Sequence, residues 1–399
     1  MQWITPSRPV RFQILAAIVA VGGFTLVASE LQSADKPKAP PPLSISLFDG
    51  RTLQGWTIEN GCKASIENGS IVLQEGNGWV RSDSMYRDFV LHVEWKAEKE
   101  VDYDSGVYIR TLRGGDEFPR DSYQVNLLQG EEGNIKKLKG AASTGLVKPG
   151  EWNAFDITVV GNSVALQING KPAYKVKGLK FPAGFIGLQS EVAKGGRFHF
   201  RNLYVTELEY RPLFNGRDLA GWTGAGEPAE KCWEVKDGLL TCTGSPGPWL
   251  RSDEQFGDFN LRLDYRLSAG GNSGVYVRVP EDGNHHREND SSPPAGFEVQ
   301  VLDDVDPQYK ELKDFQYSGS VYDIAGAQPR NVHPAGEWNT LEINCKGQKV
   351  TVTQNGVVVA DVSEESHPLI ALRQTKGYLG LQNHSTRVDF RNLRIGPAN

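Results

Sequence analysis

The 399-residue chain has no excess of basic residues: 43 Lys and Arg stand against 49 Asp and Glu, a formal net charge of −6. A surface that neutralises phosphates needs clustered positive charge, so nucleic acid is not expected as a partner. Long apolar runs are scarce too. One spans Ile14 to Ala28 and nothing comparable follows it, which leaves no membrane contact beyond the N-terminus. The four cysteines, Cys62, Cys232, Cys242 and Cys345, match no zinc-ligand spacing. Asp303, Asp304 and Asp306 offer oxygen ligands, but no full calcium-loop spacing surrounds them. No cofactor is predicted, and a divalent cation stays an open alternative. Nor does any stretch hold a 3.6-residue apolar period for three turns, so helices are expected only as short loop decorations.

What is present begins with a targeting pattern. Arg8 and Arg11 precede the apolar run and small residues follow it, the layout of a secretory signal peptide over residues 1–34 with cleavage after Ala28 or Ala34. An uncleaved anchor is the alternative, because the run approaches the ~18 residues at which a spanning helix forms. No cysteine stands after the run where a bacterial lipoprotein needs one. The mature chain is expected to be exported and soluble, in the periplasm or outside the cell. Export permits disulfides. Cys232 and Cys242 flank Asp237 in "CWEVKDGLLTC", a hairpin turning at "KDG", where a bridge and two buried thiols are equal alternatives.

After a Pro-rich linker at 35–42 the chain repeats itself. "LFDGRTLQGWT" at 47 returns as "LFNGRDLAGWT" at 213, and "GWVRSDSMYRDFVLHVEW" at 78 returns as "PWLRSDEQFGDFNLRLDY" at 248. The "GEWN", "NG", "GLQ" and "FRNL" stretches follow in both halves in the same order. The unit is far longer than a solenoid repeat, so two whole domains in tandem are expected, at about 43–208 and 209–397. In "DFNLRLDYRL", Phe259, Leu261, Leu263 and Tyr265 alternate with Asn260, Arg262, Asp264 and Arg266, the period of a strand. "KVTVTQNGVVVADV" and "LQINGKPAYKV" each set Asn-Gly between strand-forming runs, a hairpin signal. The predicted fold is all-β: two antiparallel β-sandwiches after an N-terminal signal segment.

The motifs "LFNG..L.GW", "GGNSGVYVR", "GFEVQVLDD", "GEWN", "NG", "LGLQNH" and "FRNLRI", seven in order and each with a counterpart in the first half, resemble the 3-keto-disaccharide hydrolase domain family. The resemblance implies a jelly roll similar to concanavalin A-like lectins and glucanases, acting on glycosides oxidised at C3. It implies a carbohydrate substrate and cleavage by elimination across C1 and C2 or by net hydrolysis, with hydration of the unsaturated sugar. A lectin-like, non-catalytic carbohydrate-binding or cell-surface protein is the alternative, because lectins share the fold.

Strand parity sorts the candidate site residues. In "NSGVYVR", Val275 and Val277 point one way while Asn272, Tyr276 and Arg278 point the other. In "FEVQVLD", Glu298 and Gln300 oppose Val299 and Val301, and in "LGLQNH", Gln382 and His384 share the polar parity. Glu298 and His384 are the candidate acid and base, unassigned between them, with Asp303 at its strand end as a third candidate. Arg278 or a bound metal would hold an enolate, and Gln300, Tyr276, Asn272 and Gln382 would bind sugar. A ketone at C3 acidifies the C2 proton, so the chemistry asks for a base, a proton donor and a stabiliser of negative charge. The plain alternatives are a solvated Glu or His, a structural ion pair for Arg278, whose counterpart is Arg110, and burial rather than sugar stacking for Trp249 and Trp338.

The two copies differ where this chemistry would sit. Gln124, Asn126 and Gln129 align with Glu298, Gln300 and Asp303, and Glu191 aligns with His384. An amide positions a hydroxyl but does not take a proton. The second copy is therefore expected to be active and the first degenerate, though it keeps Tyr108 and Arg110 and carries Asp104 opposite Asn272. The second copy also has longer loops, one with His285 and His286, expected to be solvated, and one from Asp303 to Arg330.

Overall fold

The computed structural model describes residues 44–399; the expected signal segment and Pro-rich linker lie outside the described residues. Period-two patterning emerges as strands throughout, and each half forms one eight-stranded and one five-stranded sheet, antiparallel at every pairing between these strands. The larger sheet of the second half contains Phe259–Leu267, Asn339–Lys346, Lys349–Gln354, Val357–Val362 and Val388–Gly396. Its smaller sheet runs in the order Trp222–Gly224, Leu250–Phe256, Gly377–Leu381, Asn272–Val279, Phe297–Leu302. The first half repeats that order with Trp56–Glu59, Asn77–Tyr86, Gly184–Glu191, Gly106–Thr111 and Tyr123–Asn126. Leu261, Leu263 and Tyr265 from the large sheet and Val275, Val277, Val299 and Val301 from the small one share a single buried core. A separate core fills the first half. Burying two apolar faces against each other is what makes the sandwich.

The turn chemistry behaves as the residues dictate. Asn169–Gly170 and Asn355–Gly356 both take positive φ, 52° and 74° in the first pair and 48° and 75° in the second, the conformation a two-residue hairpin needs to match strand twist. Gly356 has a second reason to lack a side chain: a Cβ there would come within 2.1 Å of the Asp83 carbonyl oxygen in the other half. Cys232 and Cys242 stand at the end of the predicted "KDG" hairpin, and all four cysteines are buried free thiols.

The outward parity of Phe259–Leu267 is not solvated as alternation alone predicts. Asn260 and Arg262 are buried. Asn260 donates to Glu342 of its own half, while Arg262 faces the end of the first half, where Glu207 closes strand Phe198–Glu207 and its carboxylate is held between the Arg262 and Arg394 guanidiniums. Arg262 Nη2 also reaches Glu342 Oε2 at 3.1 Å. Burial pushes the Glu207 carboxyl up, but the two guanidiniums outweigh it and hold the group below its ordinary range. Removing one partner of a buried ion cluster costs roughly 3–5 kcal/mol, because the remaining charge stays desolvated. Glu207→Gln is accordingly expected to lower the unfolding free energy of the whole chain, read from urea denaturation, by an amount of that order; an unchanged midpoint and slope would show that this cluster does not hold the halves together.

Candidate functional site

The site is built on the free edge of the second half's small sheet. Strands Asn272–Val279 and Phe297–Leu302 pair with Tyr276 opposite Glu298, Gly274 opposite Gln300 and Asn272 opposite Leu302. Their Val residues enter the core, so the polar parity faces outward. Two loops then cover that face. Residues 280–296 bring His285 and His286 over it, and the segment after Leu302 returns beside the edge strand, where Tyr322 N–H donates to the Glu298 carbonyl (2.9 Å) and Gln300 N–H to the Ser320 carbonyl (2.9 Å). The result is a cavity of about 290 Å³ lined by Asn272, Glu298, Gln300, Gln382 and His384, with His285, His286, Tyr309, Gln316 and Tyr322 supplied by the loops.

Glu298 is the most constrained group in it. Its residue is 3% exposed, and its side chain lies across Gly274, where a Cβ would meet Oε1 at 1.8 Å. Only glycine leaves room for it. Glu298 Oε2 lies 3.3 Å from His285 Nε2. The His285 ring stacks on Tyr276 (4.7 Å between centroids, 25°), and its Nδ1 donates to the Gly283 carbonyl at 3.0 Å. That hydrogen bond puts the proton on Nδ1 and leaves Nε2 as an acceptor. Burial first, and the negative charge of Asp323 second, raise the Glu298 pKa to about 8. Burial likewise lowers that of His285, with the nearby His286 and Arg373 adding to it against the Gly283 bond and Asp323. The pair is therefore not an ion pair at neutral pH: a protonated carboxyl faces a neutral imidazole. Two titratable groups shifted in opposite directions thus share one cavity.

The other sequence-predicted residues divide. His384 lies exposed at the cavity mouth, and the Asn272 Oδ1 and Gln382 Oε1 acceptors are buried with no partner among the described residues. Tyr276 stands beneath the cavity, supporting His285 and accepting Gln382 Nε2–H at 3.0 Å. Arg278 is not in the site. A bulge between Tyr276 and Val279 gives Arg278 a φ of 52°, and its buried guanidinium donates to the Gly257 and Gly347 carbonyls and to Asp258. Arg110 does the same in the first half, at φ 43° with Arg87, Phe181 and Asp88. Asp303 is also elsewhere, its Oδ2 accepting the Gly270 N–H at 2.9 Å where the strand has ended. Neither tryptophan forms a wall: Trp249 packs edge-on to Tyr276 at 5.3 Å, and Trp338 is covered by Arg266 and Arg391. Parity missed His285, His286, Asp323 and Tyr322 because loops have no period; the adjacent histidines in an unusually long loop were their only signal.

A larger cavity of about 340 Å³ lies between the halves, but its Arg262 and Arg394 are already compensated by Glu207. Among the described residues no three His, Cys, Asp or Glu side chains gather as metal ligands would.

A model described as the 3-keto-alpha-glucoside-1,2-lyase-like domain matches residues 43–206 and again 209–396. The chain belongs to this family. It is also similar to the 3-keto-disaccharide hydrolase of Bacteroides thetaiotaomicron, 29% identical over 244 residues that cover 52% of this chain and 84% of that one. A Parabacteroides distasonis crystal structure, provisionally described as a glycosyl hydrolase, is 27% identical over 48% of this chain and 94% of its own, with a TM-score of 0.40. A carbohydrate binding module from Bacillus subtilis is 14% identical over 38% of this chain and 96% of its own, with a TM-score of 0.30.

The two family domains diverge at the site. In the first, Lys194 Nζ bridges Asp104 Oδ2 (2.8 Å) and Glu191 Oε1 (3.4 Å), while the Gln124 amide is spent on Gln189. Trp79 and Tyr108 repeat the Trp249–Tyr276 packing at 5.7 Å, but the connecting residues 112–122 contain no histidine to stack there. The family domain that carries Glu298 generates a stability prediction. Because the folded pKa is raised from 4.5 to about 8, the folded state holds this proton more tightly than the unfolded chain. The contribution is complete below pH about 4.5 and is lost as pH rises through about 8. Tm should therefore fall across that window in the native chain, and the fall should be smaller in Glu298→Gln; parallel curves for the two proteins would refute the raised pKa.

Proposed function

We propose that this protein is exported and that its second domain cleaves 3-keto-glycosides by elimination across C1 and C2, with water adding afterwards to the unsaturated sugar. The observation that carries this reading is the Glu298–His285 pair in a family domain: a carboxyl with a pKa near 8 is protonated at neutral pH and can donate to a departing glycosidic oxygen. Loss of the C2 proton leaves an enolate whose electrons expel the C1 substituent, and the donor keeps the leaving oxygen from departing as an alkoxide. The open acceptors of Asn272 and Gln382 suit sugar hydroxyls, and the Gln300 amide offers donors to the C3 oxygen. Export is supported by Arg8, Arg11 and the apolar run from Ile14 to Ala28.

The first domain is read as a binding or structural partner, since its carboxylates Asp104 and Glu191 are both occupied by Lys194. Incubating the full chain with a 3-keto-disaccharide and following release of the second sugar tests the assignment. Release should decline as pH rises through about 8, where Glu298 loses its proton. Glu298→Gln should slow it by roughly 100-fold to 10,000-fold, the usual worth of general acid-base catalysis. Asp104→Asn combined with Glu191→Gln should leave it near the native rate. Binding of the 3-keto-disaccharide without release would instead favour the lectin-like alternative, and loss of activity only in the first-domain variant would reverse the roles of the two copies.

A further inference from the structure

Elimination needs a base as well as a donor, and the groups around the cavity are not equally free to be one. Glu298 is protonated at neutral pH. His285 Nδ1 is bonded to the Gly283 carbonyl, and its Nε2 is turned to the Glu298 carboxyl at 3.3 Å. His384 has no side-chain hydrogen bond among the described residues, so nothing orients its ring. His286 differs from all three. Its Nδ1 lies 2.6 Å from Asp323 Oδ2, its Nε2 has no partner among the described residues, and it lines the same cavity as Glu298.

The surroundings of His286 hold this geometry. Its ring sits 4.0 Å from that of His285, tilted by 44°, and Tyr322 packs against it edge-on at 5.9 Å. The Tyr322 hydroxyl accepts from Gln316 Nε2 at 2.9 Å, and the Tyr322 N–H is tied to the Glu298 carbonyl, which fixes the neighbouring Asp323 to the strand of the proton donor. Further charge nearby comes from Arg287 and from Arg373, a buried guanidinium whose Nε and Nη1 have no partner among the described residues and which acts on both Asp323 and His285. The His286 side chain is 52% exposed, so a proton it takes can leave to water. A carboxylate on one ring nitrogen and an open lone pair on the other is the arrangement by which an imidazole is oriented as a base.

We propose that His286 is the base that removes the C2 proton and that Asp323 is the residue that positions it. The assignment rests on the reading of this cavity as a 3-keto-glycoside site. The C2–H bond breaks toward His286 Nε2, and its electron pair forms the C2=C3 double bond of an enolate with the negative charge on the C3 oxygen. That charge then returns to the carbonyl as the C1=C2 bond forms and the C1–O bond breaks, with the Glu298 proton going to the leaving oxygen. His286 releases its proton to solvent and Glu298 takes one back, so no oxidant or reductant is consumed.

Because base and donor act on different bonds, deuterium separates them. With a 3-keto-disaccharide in D₂O, Glu298→Gln should still exchange the C2 hydrogen faster than buffer does while releasing little sugar. Adding His286→Ala to that variant should reduce the enzymatic exchange by about 100-fold or more, and imidazole in the buffer should restore part of it. Asp323→Asn alone should slow release at least about 10-fold with KM little changed, and Asp323→Glu should recover part of the loss. His286→Gln serves as a second variant should the alanine form fold poorly. Undiminished C2 exchange in Glu298→Gln/His286→Ala, with that protein folded by circular dichroism, overturns the base assignment while leaving the substrate reading intact. A native chain that neither exchanges C2 nor releases sugar overturns the substrate reading, and the base falls with it.

Discussion

The Glu298 carboxyl lies over the bare backbone of Gly274, shut from water by its own strand partner and by the His285 ring. Most of the site follows from that burial. A carboxylate in such a place is costly, so the group keeps its proton, and the imidazole beside it stays neutral because the same exclusion of water disfavours its cation. Gly274 makes the space, Tyr276 supports the ring that closes it, and the Gly283 carbonyl sets which nitrogen faces the acid. Each is required by the others: a side chain at Gly274 would expel Glu298, and without the loop that carries His285 the carboxyl would open to solvent and ionise at its ordinary pH.

The tandem copies show what that arrangement adds to an otherwise shared frame. Both halves have the same strand order, the same glycine under the central side chain, the same tryptophan edge-on to a tyrosine and the same buried arginine at a bulge. The first half fills the position of Glu298 with Gln124, and its Asp104 and Glu191 carboxylates share one lysine, Lys194. It thus has polar groups on the corresponding face but an amide where the second half has its buried carboxyl. The difference between them is a few side chains and two loops, set on a sheet that both copies build equally well. The sheet supplies position, and the loops supply desolvation.

The contact between the halves obeys the same electrostatic logic with the opposite result. Glu207 is as deeply buried as Glu298, yet it stays ionised because two guanidiniums reach it and compensate the charge. Burial with cations gives a structural ion cluster. Burial with an imidazole and a distant carboxylate gives a group ready to give up a proton near neutrality. This contrast separates the interdomain cavity, although larger, from the cavity around Glu298.

The sandwich, the tandem organisation and the hairpin turns were legible in the linear chain, because strand period, repeat and Asn-Gly pairs act over neighbouring residues. The same local rule put Glu298, Gln300, Gln382 and His384 on one face, where the structure has them. It failed at Arg278, since one bulge reverses the direction of the side chain, and at Asp303, since parity ends with the strand. Arg262 was legible as outward-facing but not as buried, because the partner that compensates it, Glu207, comes from the other half. The loop histidines and Asp323 were beyond any periodic reading, for residues 37 apart in sequence, His286 and Asp323, become partners only when two loops meet over a folded sheet. By itself the sequence determined which residues alternate, turn and repeat. Which of them lose water, and therefore which hold or release a proton, was decided only by the tertiary structure, because desolvation is a property of everything that surrounds a group and not of its neighbours in the chain.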